Sequence, residues 1–176
     1  MIKYLTKLLN LLTCSAQSSQ KKTQQNLQQQ QKSQKNNMNW LIKKYEGCQL
    51  KAYRCPAGIW TIGWGSTNRP DGTPIKEGDV IDQATADAWL ENYIRNYIWP
   101  HIKDLKLTDN QRDAVESLIY NIGWGAFSKS KCYKAIKEKD WGVAFNNWNW
   151  ISGGGKTLNG LIKRRAEEKF LFFLDI

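Results

Sequence analysis

An α+β fold, with a small sheet near one end of an otherwise helical domain, is predicted by three observations on this sequence. Residues 50–75 are rich in Gly and Pro with short apolar alternation, apolar residues recur at helical spacing from residue 82 onward, and nine Trp stand among 41% hydrophobic residues, enough to fill a core. The 176 residues suit one domain of ordinary size with an appendage.

The elements follow in chain order. Residues 1–16 place Lys3 and Lys7 around a short apolar run, Leu8 to Leu12, which is broken by Asn10. That run is far below the ~20 apolar residues needed to span a bilayer. It reads as an export signal, a lipoprotein signal acylated at Cys14, or a short amphipathic start, with membrane association through these residues in the first two cases. Residues 17–37 hold nine Gln and almost nothing apolar, so they are expected to form a flexible linker. The globular domain is placed at 38–176. "MNWLIKKYEG" spaces Trp40, Leu41 and Tyr45 as a short helix and stops it with Gly47. Short strands and turns follow, with alternation around Ile59 to Trp64. From Asp82 the pattern is helical, with Ala86, Trp89, Leu90, Tyr93, Ile94, Tyr97 and Ile98 on one apolar face and Pro100 as the stop. "TDNQ", Thr108 to Gln111, is a capping box for a helix with Ala114, Val115, Leu118 and Ile119 inward. Further helices start near Ser130 and Asp140. The last helix carries Leu161, Ile162, Ala166, Phe170 and Phe173 as its apolar set.

The net charge is +10, and the six Lys of residues 1–37 supply more than half of it, with no acid beside them. A basic balance favours polyanionic partners such as nucleic acid, anionic lipid or an acidic wall polymer. No basic recognition helix or nucleic-acid motif is present, so a nucleic-acid partner is not expected. Four Cys form no CxxC pair and no zinc spacing with the lone His101, so neither a metal nor a cofactor is expected. A disulfide such as Cys48 to Cys132 stays open.

The stretch "YEGCQLKAYRCPAGIWTIGWGST" concentrates the chemistry. Glu46 ends a helix, where the negative end of the dipole and apolar surroundings favour the neutral carboxyl that a general acid must keep. Cys55 and Thr61 follow on a turn-rich segment able to fold back as one wall of a cleft. A thiolate and a hydroxyl there suit a water held opposite the acid, as inverting glycoside hydrolysis requires.

That stretch resembles the active-site region of phage-type lysozymes, the endolysins of glycoside hydrolase family 24, in which a Glu, eight residues, an Asp or Cys, five residues and a Thr recur. "IKEGDVIDQATADAWL", "LTDNQRDAVESLIYNIGWGAF" and "GLIKRRAEEKF" extend the resemblance over residues 38–176. It implies a two-lobed fold with a cleft and cutting of peptidoglycan between N-acetylmuramic acid and N-acetylglucosamine, by a monomer acting at the bacterial cell wall after export or lysis. It also implies that Glu46 protonates the glycosidic oxygen, that Cys55 takes the Asp or Cys position, that Thr61 orients the attacking water, and that an arginine of the last helix touches the acid. Of the adjacent pair only one can face the cleft, because neighbours differ by about 100° around a helix; Arg164 is favoured over Arg165, and two solvated arginines are the alternative. Asn121 faces either the cleft or a structural hydrogen bond, and Trp64 is either core or a sugar platform. The rival readings are a lytic transglycosylase acting on the same bond and an inert cationic wall-binding protein.

Overall fold

The computed structural model describes residues 39–176, of which Leu41–Ile176 forms one compact unit. The leader, the Gln-rich linker and Cys14 lie outside the described residues. Helix α1, Trp40–Glu46, buries Leu41 and Ile42. It stops where Gly47 turns to φ +67°, a left-handed conformation that glycine adopts without the Cβ clash.

Strands β1, Gln49–Arg54, and β2, Trp60–Gly63, then form an antiparallel hairpin with Tyr53 opposite Thr61 and Arg54 opposite Trp60. The alternation expected on the second strand is absent, because Thr61, Ile62 and Gly63 are all buried. Packing against the following helix explains this: a Cβ on Gly63 would stand 3.4 Å from the Ala86 side chain.

That helix, α2, spans Gln83–Tyr93 and is capped by Asp82, whose Oδ1 accepts from the Thr85 amide at 2.7 Å. Pro100 does not end it, contrary to the expectation from sequence. The path widens into a π-helical turn, Ile94–Ile98, and continues through α3, Trp99–Ile102, and a 3-10 turn, Lys103–Leu105. Pro100 sits in the first turn of α3, where a missing N–H costs no helical bond. The predicted apolar face also divides. Ala86, Leu90, Ile94, Ile98 and Ile102 are buried at four-residue steps, a period suited to the wider turn, whereas Tyr93 and Tyr97 are 42% and 58% exposed.

Helix α4, Asp109–Ile122, opens on the expected capping box and buries Ala114, Val115, Leu118 and Ile119. Helices α5, Trp124–Ser128, α6, Lys131–Glu138, and α7, Trp141–Asn146, follow, the last two capped by Ser130 and Asp140 as the sequence predicts. Two short strands, β3 (Ser152–Gly153) and β4 (Lys156–Thr157), lead to α8, Asn159–Phe173, which packs extensively on α4. The face of α8 differs from the predicted one. Arg164, Arg165, Glu168, Leu171 and Phe172 are buried, while Phe170 is 68% exposed. Reading only apolar residues as inward misplaces this face, because its first two turns are charged.

Candidate active site

Glu46 is the last residue of α1 and is about a quarter exposed. Its partner is Arg164 of α8, whose Nη1 donates to Glu46 Oε1 at 2.6 Å. Arg164 itself is nearly sealed from solvent, at 3% exposure. It is held by donation from Nη2 to the Ser117 carbonyl at 3.1 Å and from Nε to Glu168 Oε1 at 3.1 Å. Glu46 therefore faces a fixed positive charge as well as the negative end of its own helix.

Arg165 does not point to solvent either. Its Nη2 donates to Asn121 Oδ1 and to Glu168 Oε1, both at 3.0 Å, and its Nε stands 2.9 Å from Glu168 Oε2. Burial lowers its pKa to about 10, against the opposing pull of Glu168. Glu168 is wholly buried and also accepts from the Ser117 hydroxyl at 2.7 Å and from the Trp148 indole at 3.1 Å. Sequence reasoning missed Glu168 and Ser117. The acid four residues after Arg164 and three after Arg165 was the signal available for the first.

Cys55 and Thr61 come together at the hairpin end. Cys55 closes the turn, its amide donating to the Ile59 carbonyl at 3.0 Å and its carbonyl accepting from Gly58 at 2.7 Å. Hydrogen bonds from the backbone of Ile59 and Ala57, with a smaller one from the Thr61 hydroxyl, hold the Cys55 thiol below its ordinary range. Thr61 is buried, and its Oγ1 donates to the Ile59 carbonyl at 3.0 Å. A hydroxyl has one proton, so a bond from Thr61 to the sulfur competes with the bond to that carbonyl. The other described cysteines differ: burial raises the Cys48 pKa and pushes Cys132 up to about 12, and all three thiols are unpaired. Because the thiolate is the reacting form, alkylation of Cys55 is expected to rise with pH through a midpoint below the ~8.5 of a free thiol. Peptide mapping after iodoacetamide pulses across pH 6–10 reads this, with Cys48 and Cys132 lagging.

A cleft of about 460 Å³ lies beside Glu46, lined by the loop from Gly65 to Pro70, by Trp89, Tyr93 and Tyr97 of the long helical path, and by Tyr120 of α4. Tyr120 also donates to the Trp64 carbonyl at 2.8 Å and so ties the end of the hairpin to α4. Cys55 and Thr61 are not in this lining. Nor is Trp64, whose indole donates to Asp87 at 2.7 Å while the Lys43 ammonium stands 5.7 Å from its ring centroid. Asn121 is exposed as a residue and serves Arg165. Trp89, Tyr93 and Tyr97 of the predicted apolar face thus line a cleft, since a helical period gives the side of a helix but not what covers it.

An open groove walled by aromatic rings, with one carboxylate in its lining, suits an extended chain of flat-faced, hydroxylated rings better than a compact metabolite. With the short helix and hairpin that flank it, this defines a glycoside hydrolase of the lysozyme class. Residues 43–168 match the phage lysozyme family, and the chain belongs to that family. It is 43% identical over 139 residues to an endolysin of Acyrthosiphon pisum secondary endosymbiont phage 1, covering 75% of this chain and 92% of that one. Among solved structures, the endolysin from Escherichia coli O157:H7 phage FAHEc1 aligns with a TM-score of 0.69 and 32% identity, over 80% of this chain and 94% of that one. The muramidase domain of SpmX from Asticaccaulis excentricus aligns with a TM-score of 0.65 and 33% identity, over 77% of this chain and 93% of that one.

Proposed function

We propose that this enzyme hydrolyses the β-1,4 bond between N-acetylmuramic acid and N-acetylglucosamine in peptidoglycan, and so acts at the bacterial cell wall. The observation that carries the proposal is the 2.6 Å contact of buried Arg164 with Glu46 beside the aromatic cleft. The likeness to a solved muramidase domain and the cationic chain, suited to an acidic wall polymer, support it.

In this reading Glu46 gives its proton to the glycosidic oxygen as the bond to C1 of N-acetylmuramic acid breaks. Arg164 then stabilises the carboxylate left behind. To Cys55 and Thr61, which meet at the hairpin end and not in the lining of the cleft, the reading assigns the holding of a water that attacks C1 from the opposite face and loses its proton to the thiolate. The thiolate needs no strong basicity for this, because positive charge building on C1 acidifies the attacking water. The product is a reducing N-acetylmuramic acid of inverted configuration.

Mass spectrometry of fragments released from purified peptidoglycan by the full chain is the test. Hydrolysis gives muropeptides with a reducing N-acetylmuramic end. Products lighter by one water, carrying the anhydro sugar, identify a lytic transglycosylase instead, and no release identifies a wall-binding protein.

A further inference from the structure

The last turn of α1 carries the acid but no buried apolar residue of its own. Leu41 and Ile42 are buried, whereas Lys43, Tyr45 and Glu46 are only half-buried and Lys44 is exposed. A seven-residue helix is too short to hold its geometry by backbone bonds alone, so its position depends on tertiary contacts. Beyond Glu46 the chain leaves the helix at Gly47.

Two residues of α8, three apart and so on one face, grip this turn. Arg164 meets Glu46 at 2.6 Å and lies 5.4 Å from the centroid of the Tyr45 ring. Glu167 accepts the Tyr45 hydroxyl on Oε2 at 2.6 Å and pairs with the Lys44 ammonium through Oε1. Burial, and after it the Glu167 bond, raise the Tyr45 pKa, so the hydroxyl stays a donor. The Lys44 pair is solvent-facing and contributes little. Consecutive helical residues differ by about 100° about the axis, so fixing Tyr45 fixes where Glu46 aims.

We infer that Glu167 is a positioning residue of this enzyme: through the Tyr45 hydroxyl it sets the rotation of the last turn of α1 and so aims Glu46 at the glycosidic oxygen. This rests on the reading of Glu46 as the acid.

The test is steady-state hydrolysis of soluble, uncross-linked peptidoglycan strands by the full chain and its Tyr45→Phe, Glu167→Ala and Glu167→Gln variants. The Tyr45→Phe/Glu167→Ala double variant and Glu46→Gln are measured beside them, and circular dichroism checks that each is folded. Tyr45→Phe and Glu167→Ala are each expected to lower kcat about tenfold with KM unchanged, because sub-ångström misplacement of a reacting group acts on the chemical step. Glu167→Gln should recover most of the loss, since its amide oxygen still accepts the hydroxyl. The double variant should be no slower than the slower single variant, because both changes break one contact. Wild-type kcat in Tyr45→Phe, or losses that multiply in the double variant, would overturn the inference while Glu46→Gln is inactive. A fully active Glu46→Gln overturns the catalytic reading and this inference with it.

Discussion

Replacing Glu46 by Gln is expected to slow peptidoglycan cleavage by on the order of 10²–10⁴-fold, the usual range for a lost general acid, with the fold intact. Gln has the size of Glu, and its amide oxygen can still accept from Arg164 Nη1, so the 2.6 Å contact is weakened rather than removed. Arg164 also keeps its bonds to Ser117 and Glu168, at 3.1 Å each, so its charge is not left without a partner. What disappears is the transferable proton. Turbidity loss of wall suspensions reads the rate and a thermal melt reads the fold. A Gln variant that clears walls at the wild-type rate would leave the protein with a lysozyme fold and some other chemistry.

The helical caps were legible because they are local. Thr108 with Gln111, Ser130 and Asp140 each act on a backbone group within three residues, Gly47 acts through its own left-handed backbone, and the structure uses all four as the sequence predicts. Burial was legible only where the inward face was apolar, as on α4. On α8 the inward face begins with Arg164, Arg165 and Glu168, which become buried because Glu168 pairs with both guanidiniums and Glu46, 118 positions from Arg164, supplies the second negative charge. The aromatic stripe of α2 and the π-helical turn failed in the opposite sense: Tyr93 and Tyr97 have the apolar bodies of core residues, yet they stack on one another at 5.2 Å in the cleft wall. For the site, the spacing of Glu46, Cys55 and Thr61 pointed to one short stretch, and the hairpin brings the last two into contact. Nothing in that stretch points to Glu167 or Tyr120, whose parts in the site depend on how α8 and α4 pack.

Glu168→Ala is expected to cost about 3–5 kcal/mol of folding stability, the range for removing one partner of a buried ion pair. Glu168 is wholly buried and receives donors from Ser117, Trp148, Arg164 and Arg165. With Glu46, it balances the two guanidiniums, so its loss turns a neutral cluster into one with an excess positive charge at 2–3% exposure. Arg165 has little in reserve: its Nε faces Glu168 Oε2 at 2.9 Å, its Nη1 finds no hydrogen-bond acceptor among the described residues, and without Glu168 it would keep only the Nη2 bond to Asn121. The Trp148 indole N–H, fully buried, would also lose its acceptor. For a domain of this size each kcal/mol lowers Tm by roughly 2–4 °C, so a fall on the order of 10 °C is the expected reading. Glu168→Gln keeps the volume and an acceptor oxygen but not the charge, so it should recover only part of the loss. A Tm within a degree or two of wild type for Glu168→Ala would show that water or a shifted side chain satisfies the guanidiniums, and the cluster would then not be what holds Arg164 in place. Arg164 is shared between the cluster and Glu46, so Glu168→Ala should lower activity and stability together, where Glu46→Gln, at a quarter-exposed position that keeps an acceptor for Arg164, should lower activity with a much smaller loss of stability. That difference separates the group proposed to donate the proton from the framework that holds its partner.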